Sequence, residues 1–251
     1  LLYFEADNPA YKPEIGHSLH EMIGTVVDTN GEKFQVGDQV LCVPYRQMGL
    51  QERFVCTEKQ AISVDNRPDL REALLAQPLG TVLFATRRLP NLLGLNVAVI
   101  GQGPMGQLWN CTLKQLGCRQ IVGVDLNAQR LKVSEQMGAT DTLLVSAEQS
   151  HEDIAAEVEK ILGGQKPDLV IECVGHREQV VNLCLEICKE HGSVFFFGVP
   201  TQALQEISLF KLFWKNITLY ASVVPDFEID FPLAMRWIAE GRVDVSPIIT
   251  H

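Results

Sequence analysis

The sequence predicts an α/β fold, a doubly wound parallel sheet, for most of this chain, and three observations predict it. From about residue 97 onward, short apolar runs alternate with helical stretches of roughly 10–15 residues, the spacing of βαβ units. Two of the later runs, Leu169-Val170-Ile171 and Val194-Phe195-Phe196-Phe197, are apolar without interruption, as suits strands buried on both faces. Between the first two runs stands a three-glycine segment, Gly101-Gln102-Gly103-Pro104-Met105-Gly106.

Residues 1 to 65 have a different texture. Gly24-Thr25-Val26-Val27, Gln39-Val40-Leu41-Cys42-Val43 and Glu52-Arg53-Phe54-Val55-Cys56 are short β-like runs, separated by turns at Asn30-Gly31 and Val36-Gly37-Asp38. This half is predicted to be β-rich. Residues 69–89 turn helical, broken at Pro78 and ended by Pro90, and form the connector between the halves. Strands are then expected at 97–101, 120–125, 141–145, 168–173, 193–198 and 217–223. The expected helices are 104–116, 128–137, 150–162 and 177–189. A last helix, 232–240, ends on Gly241 as its C-cap.

Residues 97–125 carry the most chemistry. The apolar run Val97-Ala98-Val99-Ile100 enters the GxGxxG turn, a helical pattern follows, and a second apolar run ends on Asp125. Strand, glycine turn, helix, strand and acid are the parts that hold a dinucleotide. Gly101 permits a tight turn, Gly103 lets backbone approach a pyrophosphate, and Gly106 lets the helix pack closely on the strand. The pyrophosphate would sit over the free N–H groups of the helix N-terminus. Asp125 falls roughly 20 residues past the glycines, where an acid binds the adenine ribose. It should accept from both ribose hydroxyls and repel a 2′-phosphate, favouring NAD over NADP. Asn127 stands where an arginine would otherwise hold that phosphate; Arg130, five residues past Asp125, is a reservation against this preference, and is expected instead to pack along the adenine side.

Composition limits the partners. The 251 residues carry a formal net charge of −10 with 46 % hydrophobic and 21 % charged residues, the profile of a soluble globular chain. An acidic balance argues against nucleic acid and anionic membranes, which demand a basic face. No apolar run approaches the roughly 18 residues needed to cross a bilayer. The 7 cysteines include no Cys-x-x-Cys pair and read as reduced thiols of a cytoplasmic protein. Cys184 and Cys188 share a helix face and read as buried. His151, His176 and His191 are expected at the surface.

A second loaded segment is Gly16-His17-Ser18-Leu19-His20-Glu21-Met22-Ile23-Gly24-Thr25-Val26. Imidazole and carboxylate both bind zinc, so His20 and Glu21 are candidate ligands; on their own they read equally well as polar residues before a strand. His17 reads as a loop histidine.

In this company the chain resembles the medium-chain dehydrogenase/reductase family, in particular its zinc-dependent alcohol and polyol dehydrogenases. The family's GHExxGxV segment matches His20-Glu21-Met22-Ile23-Gly24-Thr25-Val26, with Leu19 in place of its glycine, and GDRV matches Gly37-Asp38-Gln39-Val40. Gln77-Pro78-Leu79-Gly80 is similar to the EPL segment opening the interdomain helix. Asp168 to Gly175 and Gly192 to Val199 match later strands of the nucleotide fold.

The resemblance implies a Rossmann domain at 79–224, a GroES-like catalytic domain at 1–78 and, at 225–251, a segment returning to it. It implies NAD, bound by Gly101, Gln102, Gly103, Pro104, Met105, Gly106, Asp125, Arg130, Val174, Gly175 and Val199. It further implies one catalytic zinc with His20 and Glu21 as ligands and catalytic residues, where the metal as Lewis acid makes an alkoxide available near neutral pH. The family's zinc-binding cysteine would precede the equivalent of Leu1 and its chain would continue past that of His251, so the chain is read as part of a longer one. Only Val43-Pro44-Tyr45-Arg46-Gln47-Met48 stands where the family carries its structural-zinc lobe, so no structural zinc is expected. Gln77 replaces the glutamate or cysteine found near the family's catalytic metal. The expected activity is hydride transfer between an alcohol or polyol and NAD, in a homo-oligomer. The competing readings are a zinc-free quinone or enoyl reductase and a non-catalytic redox sensor.

Overall fold

The structure, a computed structural model, describes residues 15–17, 19–65, 68–175, 177, 179–200 and 206–250. Among these residues two compact units form. One takes the residues up to Thr81 together with Pro225–Arg242, and the other takes Val82–Val224 and the residues from Val243 onward.

The first unit is built on a three-stranded antiparallel sheet of β1 (Met22–Thr25), β2 (Gln39–Cys42) and β3 (Ala61–Ser63) in that order. Phe34, Val40, Cys42 and Ala61 form its core, with Met22, Val26, Phe54 and Cys56 packed against it. The turn into β2 closes through Gly37, whose N–H donates to the Val26 carbonyl at 2.9 Å from a left-handed φ of +100°.

Two local expectations need correction. Residues 52–56 form no strand. Phe54 and Cys56 do turn inward while Val55 is exposed, but β1 and β3 already occupy both edges of β2, so the run packs as irregular chain and the third strand forms at β3. The connector breaks at Leu75 rather than at Pro78, between α1 (Leu70–Leu74) and α2 (Ala76–Thr86). Pro78 lies in the first turn of α2, where its missing N–H leaves no intrahelical bond unmade. Asp69 caps α1 by accepting the Arg71 N–H at 2.8 Å.

The second unit holds a six-stranded parallel sheet. Its strands are β4 (Asn96–Ile100), β5 (Gln120–Asp125), β6 (Asp141–Leu144), β7 (Leu169–Glu172), β8 (Ser193–Phe196) and β9 (Thr218–Ala221). Its helices are α3 (Pro104–Gln115), α4 (Ala128–Gln136), α5 (His151–Ile161), α6 (Val180–Ile187) and α7 (Leu209–Trp214). The strand order is β6-β5-β4-β7-β8-β9, so β4 is central and the chain reverses direction of winding beside it. This is the doubly wound order expected, and crevices at such a reversal are where ligands bind. The first uninterrupted apolar run is buried as expected and the second in part: Leu169, Val170, Ile171, Val194 and Phe195 are each at most 1 % exposed, while Phe196 and Phe197 are half-buried. Trp109 of α3 packs edge-on against Phe197 and tilts onto Phe195.

The short helix α7 was not foreseen. Lys215 just after it donates to the carbonyls of Leu185, Glu186 and Cys188, satisfying the C-terminal end of α6. A final helix, α8 (Asp230–Ala239), returns to the first unit, where Gly80 leaves room for the Phe231 ring. Gly241 follows at φ +66°, as its C-cap role requires. All seven cysteines are free; Cys184 and Cys188 are buried, and their burial raises both thiols above the ordinary range. His191 is exposed and His151 half-buried, while His176 lies outside the described residues.

Candidate functional site

The three glycines of the turn after β4 each meet a different physical demand. Gly101 sits at φ +94°, a left-handed conformation costly for any other residue, and donates to the Val124 carbonyl at 2.8 Å. Gly103 is the N-cap of α3 with φ −71° and ψ −174°, and a Cβ built on it meets nothing within 4 Å. Gly106 is the opposite case: a Cβ there would collide with the Gly101 carbonyl, so the helix reaches the strand only because Gly106 has none. Pro104 opens the helix, and the N–H groups of Met105 and Gly106 lie in its first turn, where intrahelical carbonyls are lacking. An open face at Gly103 beside unpaired helix-end donors is a cradle that fits a pyrophosphate.

Asp125 ends β5 and is 8 % exposed. Its Oδ2 accepts the Gln102 N–H at 2.6 Å and its Oδ1 accepts the Asn127 N–H at 2.8 Å. Each oxygen keeps a lone pair for a further donor, as binding of two ribose hydroxyls requires. The Arg130 guanidinium stands 3.7 Å from Oδ2 on an exposed side chain, so Arg130 faces the acid.

Beneath the turn lies a polar cluster that sequence reasoning missed. The Gln102 side chain is buried, donating to the Val99 carbonyl at 2.9 Å and accepting from Asn110 at 2.7 Å and from Ser134 at 2.8 Å. Gln107 donates to the Gln102 carbonyl, the Arg130 carbonyl and Ser134 Oγ. Gly123 in β5 makes room for it, since a Cβ there would lie 3.0 Å from the Gln102 amide carbon.

The loops after β7 and β8 complete the carboxyl edge. Val174 and Val199 are partly exposed, and Gly175 is at φ +63°. They are anchored by Glu172, a second residue missed, which is 1 % exposed and bonded to backbone N–H groups of both loops. Burial, and after it the Glu172 charge, pushes the Cys173 thiol well above the ordinary range. A hint was present in the sequence, since Glu172 is an acid closing an otherwise apolar buried run.

In the first unit, His20 and Glu21 are half-buried on the approach to β1. Leu19 bridges to Met48, and its carbonyl accepts the Gly49 N–H at 3.0 Å, which fixes the chain just before them. Gln77, buried in α2, belongs to the same unit. Among the described residues no group of three or more His, Cys, Asp or Glu side chains comes together that could hold a metal ion.

Residues 104–240, more than half of the chain, match the family of zinc-binding dehydrogenases. Sorbitol dehydrogenase of Rattus norvegicus is 31 % identical over 188 residues, which are 72 % of this chain and 49 % of that protein. The chain therefore spans about half the length of the curated relatives it matches. Galactitol-1-phosphate dehydrogenase from Escherichia coli superposes with a TM-score of 0.82 at 22 % identity, covering 98 % of this chain and 79 % of that one. L-idonate 5-dehydrogenase from the same organism gives 0.75 at 23 % identity, over 92 % and 73 %. These structures share the fold, a Rossmann-type parallel sheet with an antiparallel companion.

Proposed function

Because the chain belongs to the zinc-binding dehydrogenase family, we propose that it binds NAD and takes part in hydride transfer between that cofactor and an alcohol or polyol. One observation supports the reading: a left-handed turn at Gly101, open space before Gly103, a close helix–strand approach at Gly106 and the carboxylate of Asp125 stand together at the reversal of strand order. Residues 79–224 are the proposed nucleotide domain. Residues 1–78, joined by 225–251, are the proposed catalytic domain. Sugar-alcohol dehydrogenases among the relatives support a polyhydroxylated substrate. His20 and Glu21 are the proposed donors on the metal side; no third donor stands with them among the described residues, so the proposal rests on the cofactor side.

This chain's own part in the reaction is binding and orientation. The helix end of α3 neutralises the pyrophosphate, Asp125 fixes the adenosine ribose, and the loops bearing Val174, Gly175 and Val199 lie where the second mononucleotide half falls. Asp125 also supports NAD over NADP, because a carboxylate so placed opposes a 2′-phosphate.

A homo-oligomer is part of the reading. β9 is an edge strand, and α7 beside it in sequence exposes Phe210 and Phe213 at 72 % each and Trp214 at 65 %, an apolar surface that a second copy would cover. Among the described residues no helix is long and apolar enough to cross a membrane. Seven free thiols support a reducing, cytoplasmic setting.

The test is a fluorescence titration with NADH and NADPH, followed by a panel of alcohols and polyols assayed with NAD and zinc. Tighter binding of NADH and oxidation of at least one polyol are expected. No binding of either nucleotide would remove the proposal. Light scattering should give a multiple of the monomer mass that Phe213→Glu lowers.

A further inference from the structure

Glu172 is buried at the end of β7, with Ile100 of β4 opposite it on one side and Phe196 of β8 on the other. A carboxylate removed from water is costly unless its lone pairs are satisfied. Its partners are loop amides: Oε1 accepts the N–H groups of Val174 at 2.8 Å and Gly175 at 3.1 Å, and Oε2 accepts that of Gly198 at 3.0 Å. The main-chain carbonyl of Glu172 accepts from Phe197 at 3.1 Å and again from Gly198 at 3.0 Å. One residue thus ties the turn after β7 to the turn after β8.

The fit around it is close. A Cβ on Gly198 would collide with the Gly175 nitrogen and with Glu172 Oε2. A Cβ on Gly101 would lie 3.0 Å from both the Cys173 carbonyl carbon and Val174 Cγ2. The turns after β4, β7 and β8 therefore meet at one place on the carboxyl edge of the sheet. A dinucleotide fold has two mononucleotide-binding halves. Asp125 marks the β4–β5 side as the adenosine half, which leaves the nicotinamide half to the turns after β7 and β8.

We propose that Glu172 is a positioning residue for the nicotinamide half of the cofactor, acting through the Val174–Gly175 and Gly198–Val199 turns that its carboxylate holds together. The proposal rests on the dinucleotide reading above. Glu172 does not touch the cofactor; it fixes the backbone that does. A carboxylate suits the task because it is an acceptor at both oxygens. An amide of the same shape keeps only one accepting oxygen and turns an NH2 toward one of the N–H groups.

Glu172→Gln and the wild type should be titrated with NADH and with ADP-ribose, which lacks the nicotinamide ring, and melted without ligand. The wild type should bind both. The variant should lose about tenfold or more in NADH affinity, the scale of one charge-assisted hydrogen bond, and keep its affinity for ADP-ribose. Hydrogen exchange on the wild type gives an independent measure: NADH should slow the amides of Val174, Gly175 and Gly198, and ADP-ribose should not. Equal loss for both ligands, no loss for NADH, or equal slowing by both would overturn the positioning role while leaving the nucleotide site in place. A wild type that binds neither ligand would overturn the dinucleotide reading and this proposal with it.

Discussion

Gly103 and Gly106 lie three residues apart in one turn, yet adding a side chain to them should have opposite effects. A Cβ on Gly106 falls far inside 3.0 Å of the Gly101 carbonyl, and both groups are main chain, so no rotamer change relieves it. The helix must move away from the strand. Overpacking a tight site costs roughly 1–3 kcal/mol, and a backbone collision belongs at the upper end, about 3 kcal/mol. At about 2–4 °C of Tm per kcal/mol for a chain of this size, Gly106→Ala should melt roughly 6–12 °C lower. Gly103 has open space in front of it and an extended conformation that any residue adopts. Gly103→Val should lose only the difference in N-cap quality, about 1 kcal/mol and hence roughly 2–4 °C. Its isopropyl group would instead stand where the pyrophosphate comes down. Displacing the phosphates by the same roughly 1–3 kcal/mol weakens NADH about 5- to 150-fold. Calorimetric melting and NADH fluorescence titration of the two variants read both effects. A Gly103→Val protein that binds NADH as tightly as the wild type refutes the cradle; a Gly106→Ala protein with unchanged Tm refutes the packing argument.

Asp125→Ser should raise the NADPH-to-NADH affinity ratio by about tenfold or more, roughly 1.4 kcal/mol of relieved charge repulsion, and an unchanged ratio in parallel titrations would contradict the ribose assignment. His20→Ala in the metal-loaded protein should lower bound zinc and alcohol oxidation beyond the roughly 10–100-fold that loss of a mere supporting residue costs, while NADH binding persists; elemental analysis and turnover check it, and unaffected turnover would favour a zinc-free reductase. Cys56 accepts a hydrogen bond from Cys42, which outweighs partial burial and lowers its pKa from the ordinary 9.0 to about 7, whereas the same bond and burial push Cys42 far up. Alkylation of Cys56 should therefore reach half its maximal rate near pH 7 with Cys42 unreacted. Because its folded pKa is depressed, the Cys56 contribution to stability is present above 9.0 and lost as pH falls through about 7. Mass spectrometry showing both thiols reacting together near 9 would contradict the pairing.

The readable parts of the sequence were those where backbone geometry dictates residue type. A left-handed turn at Gly101 and a helix–strand approach at Gly106 admit only glycine, so both are written in the chain itself. The alternating apolar runs gave the parallel sheet for the same reason, since a strand covered on both faces has no polar position to spare. Glu172 was legible only as an acid closing an apolar run; its role depends on the register that sets β7 beside β4 and β8, and register is a long-range property. The inward Gln102 was missed for a similar reason: its partners Asn110 and Ser134 sit on two different helices. Residues 52–56 showed a true alternation whose neighbour was already taken, and α7 was too short and too uniformly apolar to display a helical period. At His20 and Glu21 nothing local says which distant side chain would complete a metal site, and the described residues do not bring one to them.

The buried amide of Gln102 and the bare backbone of Gly123 constrain one another as the chain evolves. Any side chain at 123 pushes against the amide carbon, and any shorter residue at 102 leaves Asn110 and Ser134 without their shared acceptor. Neither position can drift alone without passing through a less stable intermediate. The residue that looks most replaceable in the glycine turn, an unspecified x between two fixed positions, is thereby tied to three others spread over thirty-odd residues of chain.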